Sequence, residues 1–543
     1  MDENGLAPCR KWYATFDCKS VEFGLSNGLA KGKASVTEAS VIVEDQPLGT
    51  ISRRLYGHFA EHLGRCCYGG LWVGNGAGGI ADVDGFRADV VAALRDLPVP
   101  LIRWPGGCHA DHYHWRDGIG DPSARPTTLG MSCGLRVPDS NALGTHEFLG
   151  LCGLLSAEPY LAGNVGTGSV QELADWVEYV NGAIETSLTL ERAANGRSEP
   201  WDVRLWGIGN ESWDCGGRFD PVAYAHEYRR YATMIRHVDP RAELVAVGLE
   251  DDGLPEMGLD PEWNSTFLAA LGPAVDLVDH LSIHRYWVRG GPEVDFGEDD
   301  YYALFDEADG TERLIERTAR TLAGAAKPSH PIGIALDEWG VWHPEARNWG
   351  PGKVDRRMPA TFEQANTLRD ALAAGIAFEG FHRQCRVLTV ANLAQVVNVL
   401  QAVVMTDGAT CVKTPTYHAL SMHRPHMGAE ALQVEVTADS AGAFGGPSLS
   451  ATASGRPGRA AVTLINREYR RAVTVNIRAA GIVSSSRLLT AESPDAGNDA
   501  ANPERVSPRR LVVDDSRGGR CTVTLPPHSM ATIEFTTDGA SRD

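Results

Sequence analysis

Several features are missing from the 543-residue sequence, and each absence excludes a class of protein. No stretch reaches 18 apolar residues, which argues against a transmembrane helix. No G-x-G-x-x-G directly follows the first predicted strand, and Gly69-Gly70 and Gly106-Gly107 lack the spacing of a phosphate cradle, so a dinucleotide-binding sheet is disfavoured. Positive charge is scarce: 50 Lys and Arg against 70 Asp and Glu give a net charge of −20. A chain this acidic repels nucleic acid and anionic membranes and suits a neutral substrate such as a sugar. The 11 cysteines are odd in number, irregularly spaced and contain no CxxC pair, which reads as reduced thiols rather than a disulfide framework. Met1-Asp2-Glu3-Asn4 is acidic where a secretory leader is basic, and no apolar segment follows, so a cytoplasmic protein is expected.

What is present is a rhythm. Hydrophobic residues make up 43% of the chain, enough for real cores. Residues 1–33 read as a poorly ordered extension, and 34–50 as a half-buried alternating strand. Short apolar runs then recur at Leu55–Phe59, Val99–Trp104, Pro159–Ala162, Val203–Gly209, Leu244–Gly248, His280–His284, Ile332–Leu336 and Val399–Met405, with amphipathic stretches such as Gln171–Val180 and Val222–Arg236 between them. Eight strands alternating with helices predict a (β/α)8 TIM barrel over 51–420. From 421 to 543 helical periodicity gives way to short alternating runs punctuated by Gly, Pro, Ser and Asn. That pattern predicts a C-terminal β-sandwich, jelly-roll-like, which the 34–50 strand joins. The expected class is therefore α/β plus all-β.

Two of the apolar runs end on glutamate beside tryptophan: Trp206-Gly207-Ile208-Gly209-Asn210-Glu211-Ser212-Trp213 and Ile334-Ala335-Leu336-Asp337-Glu338-Trp339-Gly340. Sugar hydrolysis needs one carboxyl to protonate a leaving oxygen and another to attack or stabilise the anomeric carbon. In a barrel the strand ends share one mouth. The other polar residues at predicted strand ends are His58, Glu61, His62, Arg103, Asn164, Asn210, His284 and Tyr286.

These residues sit in blocks that resemble glycoside hydrolase family 51, the α-L-arabinofuranosidases. The blocks are Tyr56 to Arg65, Arg103-Trp104-Pro105-Gly106-Gly107-Cys108 with His114 to Gly120, Gly144 to Phe148, Gly163 to Gly168, Gly209-Asn210-Glu211, Ser282 to Tyr286, and Asp337-Glu338-Trp339-Gly340. The resemblance runs from about Ala34 to the end. It implies a retaining, exo-acting enzyme that removes terminal arabinofuranosyl groups from arabinan or arabinoxylan oligosaccharides, with Glu211 as acid/base and Glu338 as nucleophile. It implies substrate contacts from Glu61, Arg103, Cys108, Asn210, His284, Tyr286 and Trp339. It also implies a homo-oligomer, since family members are often hexamers, and it calls for no cofactor and no metal. A β-xylosidase or endoglucanase on the same scaffold is the alternative, disfavoured by Glu61 and Cys108.

One block departs from the family pattern. His109 and His112 stand where Phe and Glu are usual, producing an H-x-x-H-x-H string with His114. Such a string looks like a set of metal ligands. The plainer reading is chance enrichment of histidine in a loop that lines the site; a sharper one is an adjustment of the subsite beyond the first sugar.

Overall fold

The computed structural model describes residues 37–76, 79–249, 259–324, 328–347, 352, 361–441 and 446–537. The expected N-terminal extension lies outside the described residues.

Eight parallel strands close into a barrel in sequence order: Gly57–Phe59, Leu101–Trp104, Glu158–Gly163, Leu205–Ile208, Glu243–Val247, His280–Trp287, Gly333–Val341 and Leu388–Ala394. Seven of them coincide with the expected runs. The eighth does not: Val399–Met405 is not the last barrel strand. It lies mostly in a buried connection that leads into the short hairpin Val404–Asp407/Thr410–Lys413. Both candidates are apolar, because the connection from Val396 to Val404 is as buried as the true strand. Composition therefore does not separate them.

Alternation along each strand divides its residues between two cores. Leu101, Tyr160, Leu205, Val245, Ala335 and Val390, from six different strands, form a small cluster that plugs the barrel interior. Their neighbours Ile102, Leu161, Trp206, Ala246 and Ala391 join the large outer core between strands and helices. Above the inner plug the interior turns polar: Arg103 follows Leu101, and Asp337 follows Ala335. Several outer helices are amphipathic and capped; Asp220, for instance, accepts from the Val222 and Ala223 amides at the start of Pro221–Val238.

A ten-stranded sheet follows the barrel, and the N-terminal strand Thr37–Thr50 runs through its middle, antiparallel to Glu430–Thr437 and parallel to Val473–Arg478. Residues from both halves of this sheet, among them Leu488 and Ile533 on one side and Val475 and Val523 on the other, share a single core, so the sheet folds over itself as a sandwich. In two of its strands polar residues interrupt the apolar run, Ser and Thr in Leu449–Arg456 and three serines in Ile482–Leu489.

Helices Leu368–Arg383 and Pro415–His423 carry the barrel onto the sheet. Ile465, Leu489 and Met530 of the sheet join the core of these helices, and beside them runs a buried polar network. Tyr56 Oη lies 2.8 Å from His382 Nε2, His382 Nδ1 2.9 Å from Thr452, and His426 2.8 and 2.9 Å from Ser454 and Thr463. The turn-rich stretch before Pro508 also docks on the barrel, where the Ala496 carbonyl accepts from the Leu368 amide.

Candidate active site

Glu338 reaches the mouth through an irregularity in strand seven. Ile283 of strand six pairs with Leu336, but the next residue, His284, pairs with Glu338. One residue is therefore extra in strand seven, a β-bulge of the kind that re-aims a side chain. It allows two consecutive carboxylates to face inward. Asp337 accepts from Tyr160 Oη at 2.7 Å and from Asn392 Nδ2 at 3.2 Å, while Glu338 sits one level higher. Alternation resumes at Trp339, which turns outward.

Glu338 is 5% exposed and well supplied with donors. Arg103 Nη1 donates to Oε1 at 2.9 Å, and Tyr286 Oη to Oε2 at 2.7 Å. His284 Nδ1 stands 3.7 Å from Oε2. Burial alone would raise this carboxyl. The charges of His284 and Arg103 and the Tyr286 hydrogen bond outweigh it and hold Glu338 below the usual carboxylate range. Arg103 is itself buried, between the rings of Phe59 and Tyr160, and its Nη2 donates to Asn210 Oδ1 at 2.5 Å.

Glu211 follows strand four across a sharp turn. Gly209 has φ +86° and Glu211 itself φ +41°, the left-handed region that a glutamate rarely occupies. Buried Asp111 holds this turn: its Oδ2 accepts from the Asn210 amide at 2.9 Å and its Oδ1 from the Val165 and Gly166 amides at 2.7 and 3.0 Å. Glu211 Oε1 lies 2.9 Å from His284 Nδ1. Burial raises the Glu211 carboxyl, the His284 contact opposes the rise, and the nearby Glu338 charge adds to it; the net shift is upward. An oxygen of Glu211, one of Glu338 and a nitrogen of His284 all lie within 4.8 Å of one another. The two carboxyls are thus shifted in opposite directions across one small space.

Glu61 completes the floor. Ser132 Oγ donates to Oε1 at 2.5 Å, the His109 amide to Oε1 at 3.4 Å, and Gln395 Nε2 to Oε2 at 2.9 Å. Burial, with Glu338 nearby, pushes its carboxyl up to about 7. Gly106-Gly107 lets Glu61 pack directly on backbone: a Cβ on Gly107 would come 2.9 Å from Oε1.

The structure thus gathers Glu61, Arg103, Cys108, Asn210, Glu211, His284, Tyr286 and Glu338 at one mouth. It corrects two expectations. Trp339 is not in the site; it packs outward against Phe378 and Phe381 of helix Leu368–Arg383, with ring centroids 5.7 and 5.1 Å away. Trp342 is nearer the mouth, edge-on to Tyr286 at 5.1 Å. The thiol reading also fails for two cysteines. Cys108 and Cys215, 107 residues apart, form a disulfide with Cα atoms 5.6 Å apart, because the loops after strands two and four meet beneath Glu211. Seven other described cysteines are free.

Four contributors were not read from sequence: Gln395 at the end of strand eight, Ser132 in the hairpin Thr128–Ser132/Leu135–Asp139, Asp111 and Trp342. Asn164 and His62 serve structure. Asn164 Oδ1 accepts from the Thr167 and Gly168 amides in its own loop. His62 Nδ1 lies 2.8 Å from Asp139, and its Nε2 accepts from Trp104 Nε1 at 3.0 Å. His58, buried, finds no partner for Nδ1.

The three histidines of the H-x-x-H-x-H string separate. His109 stacks on His62 with centroids 4.6 Å apart, His112 is half-buried, and His114 pairs with Glu172 at 2.9 Å. Among the described residues the clusters with metal-like spacing are His62–His109–Asp139, Cys108–Glu211–Cys215 and Glu211–His284–Glu338. The last two belong to the mouth already described.

A closed parallel barrel with two oppositely tuned carboxyls at one mouth is the architecture of a glycoside hydrolase. Comparison with known proteins is specific. Residues 93–307 match the α-L-arabinofuranosidase 1 domain, and residues 337–529 the α-L-arabinofuranosidase C-terminal domain. An intracellular exo-α-L-arabinofuranosidase of Bacteroides ovatus is 37% identical over 504 residues, 90% of this chain and 94% of that one. An intracellular exo-α-(1→5)-L-arabinofuranosidase of Streptomyces lividans is 32% identical, over 90% of this chain and 73% of that one. The family 51 arabinofuranosidase of Xanthomonas axonopodis pv. citri superposes with a TM-score of 0.84 at 34% identity, covering 92% of this chain and all of that one. The chain belongs to the α-L-arabinofuranosidases of glycoside hydrolase family 51.

Proposed function

We propose that the protein is a retaining, exo-acting α-L-arabinofuranosidase that works by double displacement. The observation that carries this reading is the placement of Glu211 and Glu338 atoms within 4.8 Å with opposite shifts. Retaining enzymes hold their carboxyls about 5–5.5 Å apart, inverting ones about 6.5–9.5 Å. In the first step a Glu338 oxygen bonds to the anomeric carbon, the glycosidic C–O bond breaks, and Glu211 gives its proton to the leaving oxygen. In the second, Glu211 takes a proton from water, whose oxygen displaces Glu338. Arg103, Tyr286 and His284 keep Glu338 ionised for attack, and burial keeps Glu211 protonated until needed. Asn210, oriented by Arg103, and Glu61, held by Ser132 and Gln395, present polar groups to the furanose hydroxyls.

The substrate is a terminal arabinofuranosyl group on an arabinan- or arabinoxylan-type oligosaccharide. The names of the Bacteroides and Streptomyces relatives support exo action and an intracellular setting. A homo-oligomer follows from the family resemblance, and light scattering would check it. A panel of p-nitrophenyl glycosides tests specificity: cleavage of the β-D-xylopyranoside with none of the α-L-arabinofuranoside overturns this reading. Glu338→Ala tests the mechanism. Turnover should vanish, and azide should partly restore it by forming the inverted glycosyl azide.

A further inference from the structure

The mechanism makes no use of the sulfurs beneath Glu211. Its two carboxyl oxygens have different surroundings. Oε1 faces the His284 nitrogen at 2.9 Å. Oε2 faces sulfur, with Cys215 Sγ at 3.7 Å and Cys108 Sγ at 3.9 Å. Cys215 lies four residues after Glu211, and its Sγ is 3.8 Å from Asn210 Nδ2. Cys108 opens the short helix Cys108–His112, whose Asp111 side chain grips the Asn210 amide. The bond between the two cysteines is a second tie between the same two loops, placed against the carboxyl itself.

We propose that the Cys108–Cys215 bond is a positioning element for Glu211 as proton donor, and that thiol–disulfide exchange at this bond tunes the donor.

The chemistry of the two sulfur states supports a direction. A disulfide has no S–H and donates nothing to a carboxylate, so Oε2 fares best carrying its own proton. Opening the bond puts two weak S–H donors on the same oxygen, which favours the ionised carboxylate and weakens the acid. It also frees a turn whose Glu211 sits at positive φ. Both cysteines are only partly buried, within reach of a small dithiol entering the mouth. In the exchange a dithiol thiolate attacks one protein sulfur, the protein S–S bond breaks, and a second attack closes the reagent into a cyclic disulfide. Two electrons and two protons pass to the protein, leaving two thiols; a soluble cyclic disulfide reverses the reaction.

This inference rests on Glu211 being the proton donor, and the experiment separates the two ideas. The full-length enzyme is equilibrated with reduced or oxidised dithiothreitol, and thiol alkylation with mass spectrometry counts the open bonds. In each state kcat/KM, which reports the glycosylation step, is measured on an arabino-disaccharide and on the 2,4-dinitrophenyl arabinofuranoside, whose leaving group needs no proton. Opening the bond should lower kcat/KM on the disaccharide about tenfold, part of the ~10²–10⁴ that a general acid supplies. It should change the aryl substrate by less than about twofold and move the alkaline limb of the disaccharide profile to lower pH. Cys215→Ser should show the open-state values whatever the reagent. Equal losses on both substrates, no change on either, or a reagent response that persists in Cys215→Ser each overturn the proposal. The wild-type comparison needs no variant to fold. Glu211→Ala is assayed alongside: if it lacks the selective loss on the disaccharide, the acid assignment fails, independently of the cysteines.

Discussion

Two regions of this molecule bury histidines and treat them in opposite ways. At the barrel mouth His284 stands between two glutamates; burial would lower its pKa, but Glu338 and Glu211 reverse the effect and raise it. At the barrel–sheet contact His382, His423 and His426 meet mostly hydroxyls and carbonyls. No opposite charge answers burial there: His423 is pushed down to about 4 despite its bond to the Ala419 carbonyl, and the other two lie well below the ordinary range. Burial sets the default, a neutral group, in both places. Only where opposite charges are interleaved does the interior hold ions. The mouth, with Arg103 and His284 among Glu61, Glu211 and Glu338, is such a place, and chemistry is possible there because the shifts differ from one carboxyl to the next. The interface uses the same residue type as neutral hydrogen-bonding filler.

The comparison breaks most completely at Glu338. Glu338→Gln removes the ionised partner that Arg103 and Tyr286 serve, and kcat should fall by roughly 10⁴–10⁶, read from initial rates on the aryl arabinofuranoside. Glu211→Ala should cost about 10²–10⁴ on a disaccharide and far less on the dinitrophenyl substrate. Arg103→Met tests the interleaving itself. It leaves Glu338 buried without its cation, so urea unfolding should show a loss of about 3–5 kcal/mol, and the acid limb of the activity profile should move to higher pH.

The interface should respond to acid, the mouth much less. The three interface histidines have folded pKa values below the unfolded ~6.5, so the unfolded chain binds protons first as pH falls. Stability is complete above about pH 6.5 and is lost progressively below it, down through the folded values. Thermal midpoints between pH 7 and 5 should fall, and His426→Gln should flatten that slope; an unchanged slope would assign the acid sensitivity elsewhere. The smallest effect is expected at Ser132→Ala. It removes one donor from Glu61, worth ~1 kcal/mol, and should raise KM about fivefold with kcat nearly unchanged.

Much of this was legible in the sequence, for identifiable reasons. Strand ends and the Gly-Asn-Glu and Asp-Glu-Trp-Gly blocks are local, so the barrel and both glutamates could be read in place. Trp339 was misread because its direction depends on a bulge, and a bulge is a property of two paired strands rather than of one segment. The eighth strand was misplaced because a buried loop and a buried strand share the same composition. Cys108 and Cys215 looked unrelated at 107 residues' separation. Ser132, Asp111 and Gln395 carry no local mark at all; each matters only through a partner supplied by another loop.

The extra residue in strand seven has a consequence for how the family's sequences are compared. Upstream of the bulge the strand keeps one phase and downstream the other, as a reading frame does across an insertion. Removing Asp337 would leave the glutamate opposite His284 and every face as it is, whereas keeping all the letters and flattening the bulge would swap them, sending the glutamate toward helix Leu368–Arg383 and the tryptophan into the mouth. At this site pairing is information in its own right: a homologue that keeps Asp-Glu-Trp-Gly without the bulge has kept the letters and lost the word.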